Sequence, residues 1–192
     1  MARDVKQRMI ERTAVLLAKK GLHRASFTEI LEASGAPRGS LYHHFPGGKD
    51  ELVLAALGIA GQQAMAVLDK LSGRPASEVA TTFIALWRAV LTKSDFEAGC
   101  AVAAVTVAAD STELMKQAAK VFREWRAHLT RLFEDGGIES NRARSLAANL
   151  VSACEGAVVL ARAERSLEPF DLMASEQLAT VRGAMKRKAR KS

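Results

Sequence analysis

The stretch that begins at Ser26 constrains the fold of this chain most, because it reads as two short helices joined by a tight turn. Ser26, followed three residues later by Glu29, has the spacing of a capping box, in which each side chain accepts a hydrogen bond from the other residue's backbone N–H. Gly35 then ends the first helix, since glycine tolerates the left-handed conformation of a C-terminal cap. Pro37 suits the first turn of a new helix, where its missing N–H costs nothing.

The second helix of this stretch, roughly Pro37 to His44, has only Leu41 and Phe45 as strong apolar anchors. Its other face carries polar and basic side chains: Arg38, Ser40, Tyr42, His43 and His44. A helix with so few anchors and so many donors is poor core material and suits phosphates and base edges. The pattern therefore indicates a helix-turn-helix. The spacing by itself leaves an ordinary helical hairpin with a solvated face as the alternative.

The same stretch resembles the DNA-binding signature of the TetR/AcrR family of one-component transcriptional regulators. The matching residues are Gly21, Phe27-Thr28, Ile30, Ala33-Ser34-Gly35, Gly39-Ser40-Leu41-Tyr42, His44-Phe45 and Lys49-Asp50-Glu51-Leu52. This resemblance implies an all-α chain with a three-helix helix-turn-helix DNA-binding domain in residues 1–47. Residues 48–192 would form a larger helical ligand-binding and dimerisation domain, giving about nine helices in total.

The charge is placed unevenly along the chain. Residues 1–50 carry 9 Lys/Arg against 5 Asp/Glu, and residues 182–192 carry 6 Lys/Arg and no acidic residue, whereas the segment between them is mildly acidic. A basic N-terminal module favours an anionic polymer as partner. The basic end, MKRKARKS, is expected to fray as a solvated tail, although a role in DNA binding stays open.

A cytoplasmic protein with reduced thiols is expected from the charged N-terminus and from only two cysteines, Cys100 and Cys154. No apolar run looks long enough and free enough of charge to span a bilayer, so no membrane partner is predicted. No cofactor and no metal site are predicted either, because the histidines and cysteines lack metal-ligand spacing.

Apolar residues at helical spacing predict further helices over about residues 4–20, 48–71, 76–91, 100–109, 112–134 and 141–165, and from Pro169 on. The basic residues of the first helix, Arg3, Lys6 and Arg8, face either phosphates or solvent. The helix over 141–165 is apolar on more than one face. The resemblance implies that it pairs with a partner chain in a homodimer, and a central helix in a monomer is the alternative. Expected interface residues are Leu150, Ala157, Val158, Leu178 and Val181.

A ligand-responsive regulator follows from the resemblance, most simply a repressor that binds a palindromic double-stranded DNA operator as a dimer. Arg38 and Tyr42 are expected nearest the bases. Four further side chains are expected at the DNA backbone: Thr28, Ser40, His43 and Lys49.

The effector would be a small apolar or amphipathic molecule bound in the C-terminal domain. Its expected pocket residues are Trp87, Cys100, Thr106, Phe122, Trp125 and Cys154, and solid core is the alternative for each of them. The Gly99-Cys100 pair that opens an apolar helix resembles the LmrA/YxaF-like branch of the family, whose members respond to lipophilic compounds.

An enzyme is the main rival class, but the chain has no G-x-S-x-G and no H-E-x-x-H motif. A cysteine redox switch is a narrower alternative to a buried structural thiol at Cys100 or Cys154. A helical scaffold without DNA binding is the remaining rival, and the presence of Arg38, Tyr42 and Lys49 argues against it.

Overall fold

The computed structural model of the chain describes residues 2–189, with side chains from residue 4 to residue 185. Helices make up 84% of the structure, and no strand occurs in this described range. The all-α prediction is therefore confirmed. The side chain of Arg3 and those of the basic tail, for which the sequence leaves DNA contacts open, lie outside the described residues.

The described range contains nine α-helices and one short 3-10 turn. They are α1 (Ala2–Arg24), α2 (Phe27–Ser34), α3 (Arg38–His44), α4 (Gly48–Leu68), the 3-10 turn (Asp69–Leu71), α5 (Ala76–Lys93), α6 (Ala101–Ala108), α7 (Thr112–Asp135), α8 (Ser140–Glu164) and α9 (Glu168–Ala189). The ends of α5, α7 and α8 lie within two residues of the predicted ends.

Three helix ends differ from the prediction for local reasons. The first helix continues past Gly21 to Arg24, although Gly21 itself leaves helical geometry with φ 76° and ψ 176°. Pro37 lies just outside α3 as its N-cap, with φ −61° and ψ 145°, rather than inside the first turn. The fourth helix tightens into a 3-10 turn after Leu68.

The chain forms two compact units, and each is described by itself. The N-terminal unit comprises the chain up to Gln63 together with Cys100–Phe122, and the second unit comprises Ala64–Gly99 together with the chain from Arg123 on. In the N-terminal unit, α1 packs against both α2 and α6. Its core includes Leu17 and Ile30, which are fully buried.

In the second unit, α5, α8 and α9 pack against one another. Trp87 contacts both Phe83 and Trp125 edge-on. The guanidinium of Arg88 lies 5.9 Å from the Phe170 ring centroid and forms an ion pair with Asp171, so it ties α5 to α9.

The loop between α5 and Gly99 is held by two arginines at the end of α8. Asp95 and Phe96 have positive φ values of 50° and 62°. Arg162 donates to the Phe96 carbonyl at 3.4 Å and to the Glu97 carbonyl at 2.8 Å. Arg165, itself at φ 50°, pairs with Asp95 at 2.5 Å. All of these contacts lie within the second unit.

Two helical stretches, Gly48–Leu71 and Ser140–Glu164, are long and apolar enough to span a bilayer by length and composition alone. This differs from the expectation drawn from the sequence, because most charged residues of the two helices lie near their ends and leave a long apolar stretch between them. Core helices of water-soluble proteins meet the same criterion, so this is weak evidence for a membrane.

Candidate nucleic-acid interface

The capping box at the start of α2 is present as predicted. Glu29 N donates to Ser26 Oγ at 3.2 Å, and Ser26 N donates to Glu29 Oε2 at 3.4 Å. Lys20 Nζ also lies 2.5 Å from Glu29 Oε1. The hydrogen bond from Lys20, followed by that from the Ser26 backbone, lowers the pKa of Glu29 below its ordinary value. The first turn of α2 is therefore fixed by its own sequence and by one basic residue of α1.

The turn after α2 also follows the local sequence. Gly35 takes the left-handed conformation, with φ 64° and ψ 23°, and its N–H donates to the Glu32 carbonyl at 3.4 Å. The Ala36 N–H donates to the Leu31 carbonyl at 3.3 Å. These bonds satisfy carbonyls that the helix end would leave unpaired, so the chain turns sharply into α3.

The third helix is held by two side chains and leaves the others accessible. Leu41 and Phe45 are each 1% exposed, whereas Tyr42 is 66% exposed. Arg38 and His43 are also exposed, and Ser40 is half-buried. Thr28, which lies in the first turn of α2, is exposed as well. Every side chain predicted to contact DNA from α2 or α3 thus retains accessible surface.

Lys49 has a partner that sequence spacing did not indicate. Its Nζ donates to the carbonyl oxygen of Leu22 at 2.7 Å, 27 residues earlier in the chain. The non-helical geometry of Gly21 ends the regular part of α1 just before Leu22. A lysine near a helix C-terminus can hydrogen-bond a free carbonyl and complements the helix dipole. Lys49 therefore joins the start of α4 to the end of α1.

Two basic residues of α1 have partners within the N-terminal unit. Arg8 donates to the Ser34 carbonyl at 3.3 Å and pairs with Asp4 at 2.8 Å. The Lys6 ammonium lies 5.2 Å from the centroid of the Phe45 ring, at cation–π distance. Both side chains support the packing of α1 against the helix-turn-helix.

The aromatic contacts of α3 were not anticipated from the sequence. Phe27, the first residue of α2, meets Tyr42 edge-on, with ring centroids 6.0 Å apart and an interplanar angle of 69°. The rings of His43 and His44 also contact each other, with centroids 4.9 Å apart. Helical periodicity relates residues within one helix, so it holds no signal for the pairing of Phe27 with Tyr42.

The residues predicted for an effector pocket divide between the two units. Trp87 and Trp125, both buried, meet edge-on at 6.0 Å in the second unit. Thr106 is half-buried, and its hydroxyl donates to the Val102 carbonyl at 2.9 Å. Burial, and then the neighbouring Glu155 charge, raise the pKa of the Cys154 thiol far above its ordinary value. Cys154 is also fully buried, which favours a structural thiol over a redox switch.

Cys100 and Phe122, the other two predicted pocket residues, belong to the N-terminal unit together with Thr106. Cys100 is buried at the start of α6, where its Sγ accepts a hydrogen bond from the Ala103 N–H at 3.3 Å. Phe122 is half-buried at the point in α7 where this unit ends.

Most residues expected to face a partner chain are buried within their own chain. Leu150, Ala157, Val158 and Val181 are all buried, and Leu178 is half-buried. Helical spacing identifies an apolar face, but it does not say whether the same chain or a partner fills it. The large apolar side chains of α8 and α9 that remain accessible are Val159 at 61%, Leu160 at 53% and Leu172 at 67% exposure.

Comparison with known families gives two matches along the chain. Residues 9–56 match the family described as bacterial regulatory proteins, tetR family. Residues 76–176 match the family described as transcriptional regulator LmrA/YxaF-like, C-terminal domain.

Relatives and solved structures agree with these matches. A helix-turn-helix-type transcriptional regulator of Mycobacterium tuberculosis is 37% identical over 175 residues, covering 88% of this chain and 89% of the relative. LmrA of Bacillus subtilis, also a helix-turn-helix-type transcriptional regulator, is 23% identical and covers 87% of this chain and 91% of its own length. The crystal structure of a TetR regulatory protein from Rhodobacter sphaeroides superposes with a TM-score of 0.80 at 22% identity, covering 91% of this chain and 97% of that one.

Proposed function

Because this chain belongs to the TetR family of DNA-binding transcriptional regulators, a class without enzymatic activity, we propose that it is a ligand-responsive repressor. It binds a palindromic operator as a homodimer and is released from that operator by a small lipophilic effector. The observation that carries this proposal is the helix-turn-helix of the N-terminal unit, in which α3 is anchored by Leu41 and Phe45 and exposes Arg38, Tyr42 and His43.

In this function α3 enters the major groove of the operator. Arg38 and Tyr42 lie nearest the base edges, since an arginine can donate two parallel hydrogen bonds to guanine. Thr28, at the start of α2, contacts the DNA backbone together with Ser40 and His43. Backbone contacts hold the protein in register but do not read the sequence.

Lys49 contacts a phosphate only with the donors that Leu22 leaves free. An ammonium has three N–H donors, and one of them is used by the Leu22 carbonyl. The contact with Leu22 keeps the charge close to the helix-turn-helix. Replacing Lys49 therefore changes the packing and the DNA contact together, which makes it a poor single test of the interface.

The homodimer is supported by the accessible apolar surface of the second unit. Val159 and Leu160 on α8 and Leu172 on α9 are each more than half exposed, and Gly156 on α8 is exposed as well. Leu172→Lys should therefore give a monomer in analytical sedimentation. An unchanged dimer would contradict the assignment of this surface to the dimer interface. Two recognition helices would then read half-sites about 34–36 Å apart, which is one turn of DNA.

The effector is proposed to contact the aromatic cluster of the second unit. Trp87, Trp125 and Phe83 meet edge-on, and such rings bury large apolar area. Release from DNA requires that the effector bind the DNA-free state better than the DNA-bound state. A coupling of about 1–3 kcal/mol would weaken operator binding by roughly 5- to 150-fold.

The division of labour proposed here places DNA binding in residues 1–47 and the effector and dimer functions in residues 48–192. The compact units follow packing rather than this functional division, because α6 packs against α1 in the N-terminal unit. A regulator of this class acts in the cytoplasm, where it reaches the chromosome.

The test is binding of the purified chain to the intergenic DNA beside its own gene, at about 50 mM and 200 mM salt. Selective binding that weakens steeply with salt is expected, because phosphate contacts release counterions. Arg38→Ala should weaken binding by about 5- to 150-fold, the range for one bidentate base contact. Arg142→Ala, which removes an exposed arginine of α8, is the matched control and should bind normally. Equal loss in both variants would contradict the assignment of α3.

A further inference from the structure

We propose that Phe27 is a positioning residue for DNA recognition, because its ring meets Tyr42 edge-on and so fixes the direction in which Tyr42 leaves α3. This inference rests on the proposed function and assigns a role to a residue outside the DNA-contacting set. The two rings come from different helices and meet across the turn of the helix-turn-helix, with centroids 6.0 Å apart.

Tyr42 depends on this contact because little else constrains it. Its side chain is 66% exposed, and Phe27 is its one ring partner among the described residues. An exposed side chain on a helix can populate more than one rotamer, and choosing one of them on binding costs conformational entropy. An edge-on aromatic partner favours one rotamer in advance, which lowers that cost.

Phe27 is itself well placed to act as a fixed reference. It is the first residue of α2 and follows directly the capping box formed by Ser26 and Glu29. The hydrogen bonds of that box hold the backbone on both sides of Phe27. Phe27 is half-buried, so only part of its side chain is open to solvent, and its ring contacts that of Tyr42. The capping box therefore has an indirect consequence for the recognition surface.

The third helix cannot supply this constraint alone. It spans only Arg38–His44, and its N-cap residue Pro37 makes no side-chain capping bond. Its two anchors, Leu41 and Phe45, are each 1% exposed, whereas the Tyr42 side chain is 66% exposed and is not held in the core with them. A short helix of this kind is stabilised by its tertiary contacts.

The decisive experiment is a double-mutant cycle between Phe27→Leu and Tyr42→Ala, read as affinity for the operator DNA. Leucine keeps an apolar side chain at the start of α2 and removes the ring. In the wild-type background Phe27→Leu should weaken binding by about 2- to 10-fold, the range of one aromatic pair. In the Tyr42→Ala background the same change should have no further effect.

Two further variants separate positioning from stability. Phe27→Tyr keeps the ring and should restore wild-type affinity. Leu31→Ala truncates another half-buried side chain of α2 and should weaken binding equally in both backgrounds, if at all. Thermal unfolding of every variant establishes that each is folded at the assay temperature.

A second measurement on the DNA-free protein uses the fact that Tyr42 is the only tyrosine of the chain. Incorporated fluorotyrosine should give one 19F resonance, which Phe27→Leu should shift by removing the neighbouring ring current, while Leu31→Ala should not. An unshifted resonance, or an equal loss of affinity in both Tyr42 backgrounds, overturns the positioning role alone. A wild-type chain without selective DNA binding overturns the proposed function, and the positioning role with it.

Discussion

The two compact units make their tight turns by different means. In the N-terminal unit, all described residues with positive φ are glycines: Gly21, Gly35 and Gly48. In the second unit, positive φ occurs at Gly73 and Gly137 and also at three residues other than glycine: Asp95, Phe96 and Arg165. A side-chain residue in the left-handed region costs roughly 1–2 kcal/mol more than glycine, so something in the second unit must offset that cost.

Hydrogen bonds and an ion pair from two arginine side chains offset the cost of these left-handed residues. Arg162 binds two carbonyls of the loop, and Arg165 pairs with Asp95. Arg162 also packs closely against Gly99, where an added Cβ would lie 2.8 Å from a guanidinium nitrogen of Arg162.

The contrast has a physical reason in what each unit exposes. A glycine turn needs no side-chain support, so the polar side chains near the turn of the helix-turn-helix remain accessible to another molecule. In the loop at Asp95 and Phe96, by contrast, the arginine side chains are used in contacts within the unit, and these contacts make the loop rigid. Strained backbone held by surrounding contacts often marks a site where geometry matters.

The largest effect is expected where the second unit does rely on glycine. A Cβ at Gly136 would lie 2.5 Å from the backbone nitrogen of Ala76 and 2.7 Å from the Arg74 carbonyl. Gly136→Ala should therefore lower the free energy of unfolding by about 2–3 kcal/mol, the upper part of the usual range for overpacking, because the contacted atoms belong to the backbone. Urea denaturation measures this, with the open site Gly156→Ala as control. A loss below 1 kcal/mol would mean that the α5 and α7 ends separate easily.

Removal of the Arg162 contacts should have the next largest effect. Arg162→Ala deletes the donors to Phe96 and Glu97 and should cost about 1.5–3 kcal/mol, as expected for hydrogen bonds from a charged group. Arg162→Lys should recover only part of this, because an ammonium lacks the planar fork. If the loss were no larger than for the exposed Arg142→Ala, these contacts would not be what offsets the strain.

Gly35 tests whether the turn of the helix-turn-helix requires a glycine for its left-handed backbone. Gly35→Ala places a Cβ at φ 64° and should cost about 1–2 kcal/mol, although no atom lies within 4 Å of the new methyl group. Gly39→Ala is the matched control, because Gly39 is inside α3 and has open space as well. That change should stabilise the N-terminal unit by up to about 1 kcal/mol. Equal effects at the two positions would remove the backbone argument for Gly35.

Replacement of Arg165 by glycine should not destabilise the chain, although Arg165 forms an ion pair with Asp95. Arg165→Gly removes an exposed ion pair worth about 0–1 kcal/mol, while relieving a left-handed cost of roughly 1–2 kcal/mol. The net result should be a chain up to about 2 kcal/mol more stable, seen as a rise in the melting temperature. Arg165→Ala, which loses the pair and keeps the strain, should be less stable than Arg165→Gly.

The smallest effect concerns two acidic caps, one in each unit. Hydrogen bonds from the Asn141 and Arg142 backbone N–H groups lower the pKa of Glu139, as Lys20 and Ser26 do for Glu29. A carboxylate with a lowered folded pKa stabilises the fold above its ordinary pKa, near 4.5, and loses that contribution as the pH falls. Glu29→Gln and Glu139→Gln should each flatten the fall in urea midpoint between about pH 5 and pH 3. An unchanged slope would show that the caps are not held in solution.

The elements that depend on neighbours within four residues could be predicted from the sequence. The capping box at Ser26, the left-handed cap at Gly35 and the anchors of α3 all follow from short-range geometry, and the structure has each of them. The same holds for the ends of α5 and α7. The all-α class follows from such local patterns, whereas the TetR family is indicated by the resemblance of the residues between Gly21 and Leu52 and shown by the family matches.

Only the tertiary structure decided which atoms meet across long stretches of chain. Lys49 reaches Leu22 across 27 residues, and Arg162 reaches Phe96 across 66. The conformations of Asp95 and Phe96, unfavourable by themselves, are held by residues that no local pattern connects to them. The periodicity of α8 predicts apolar faces, but only the packing shows that Leu150 and Val158 are buried by residues of their own chain. The physical reason is that helix geometry acts over four residues, whereas burial is a property of the whole assembled core.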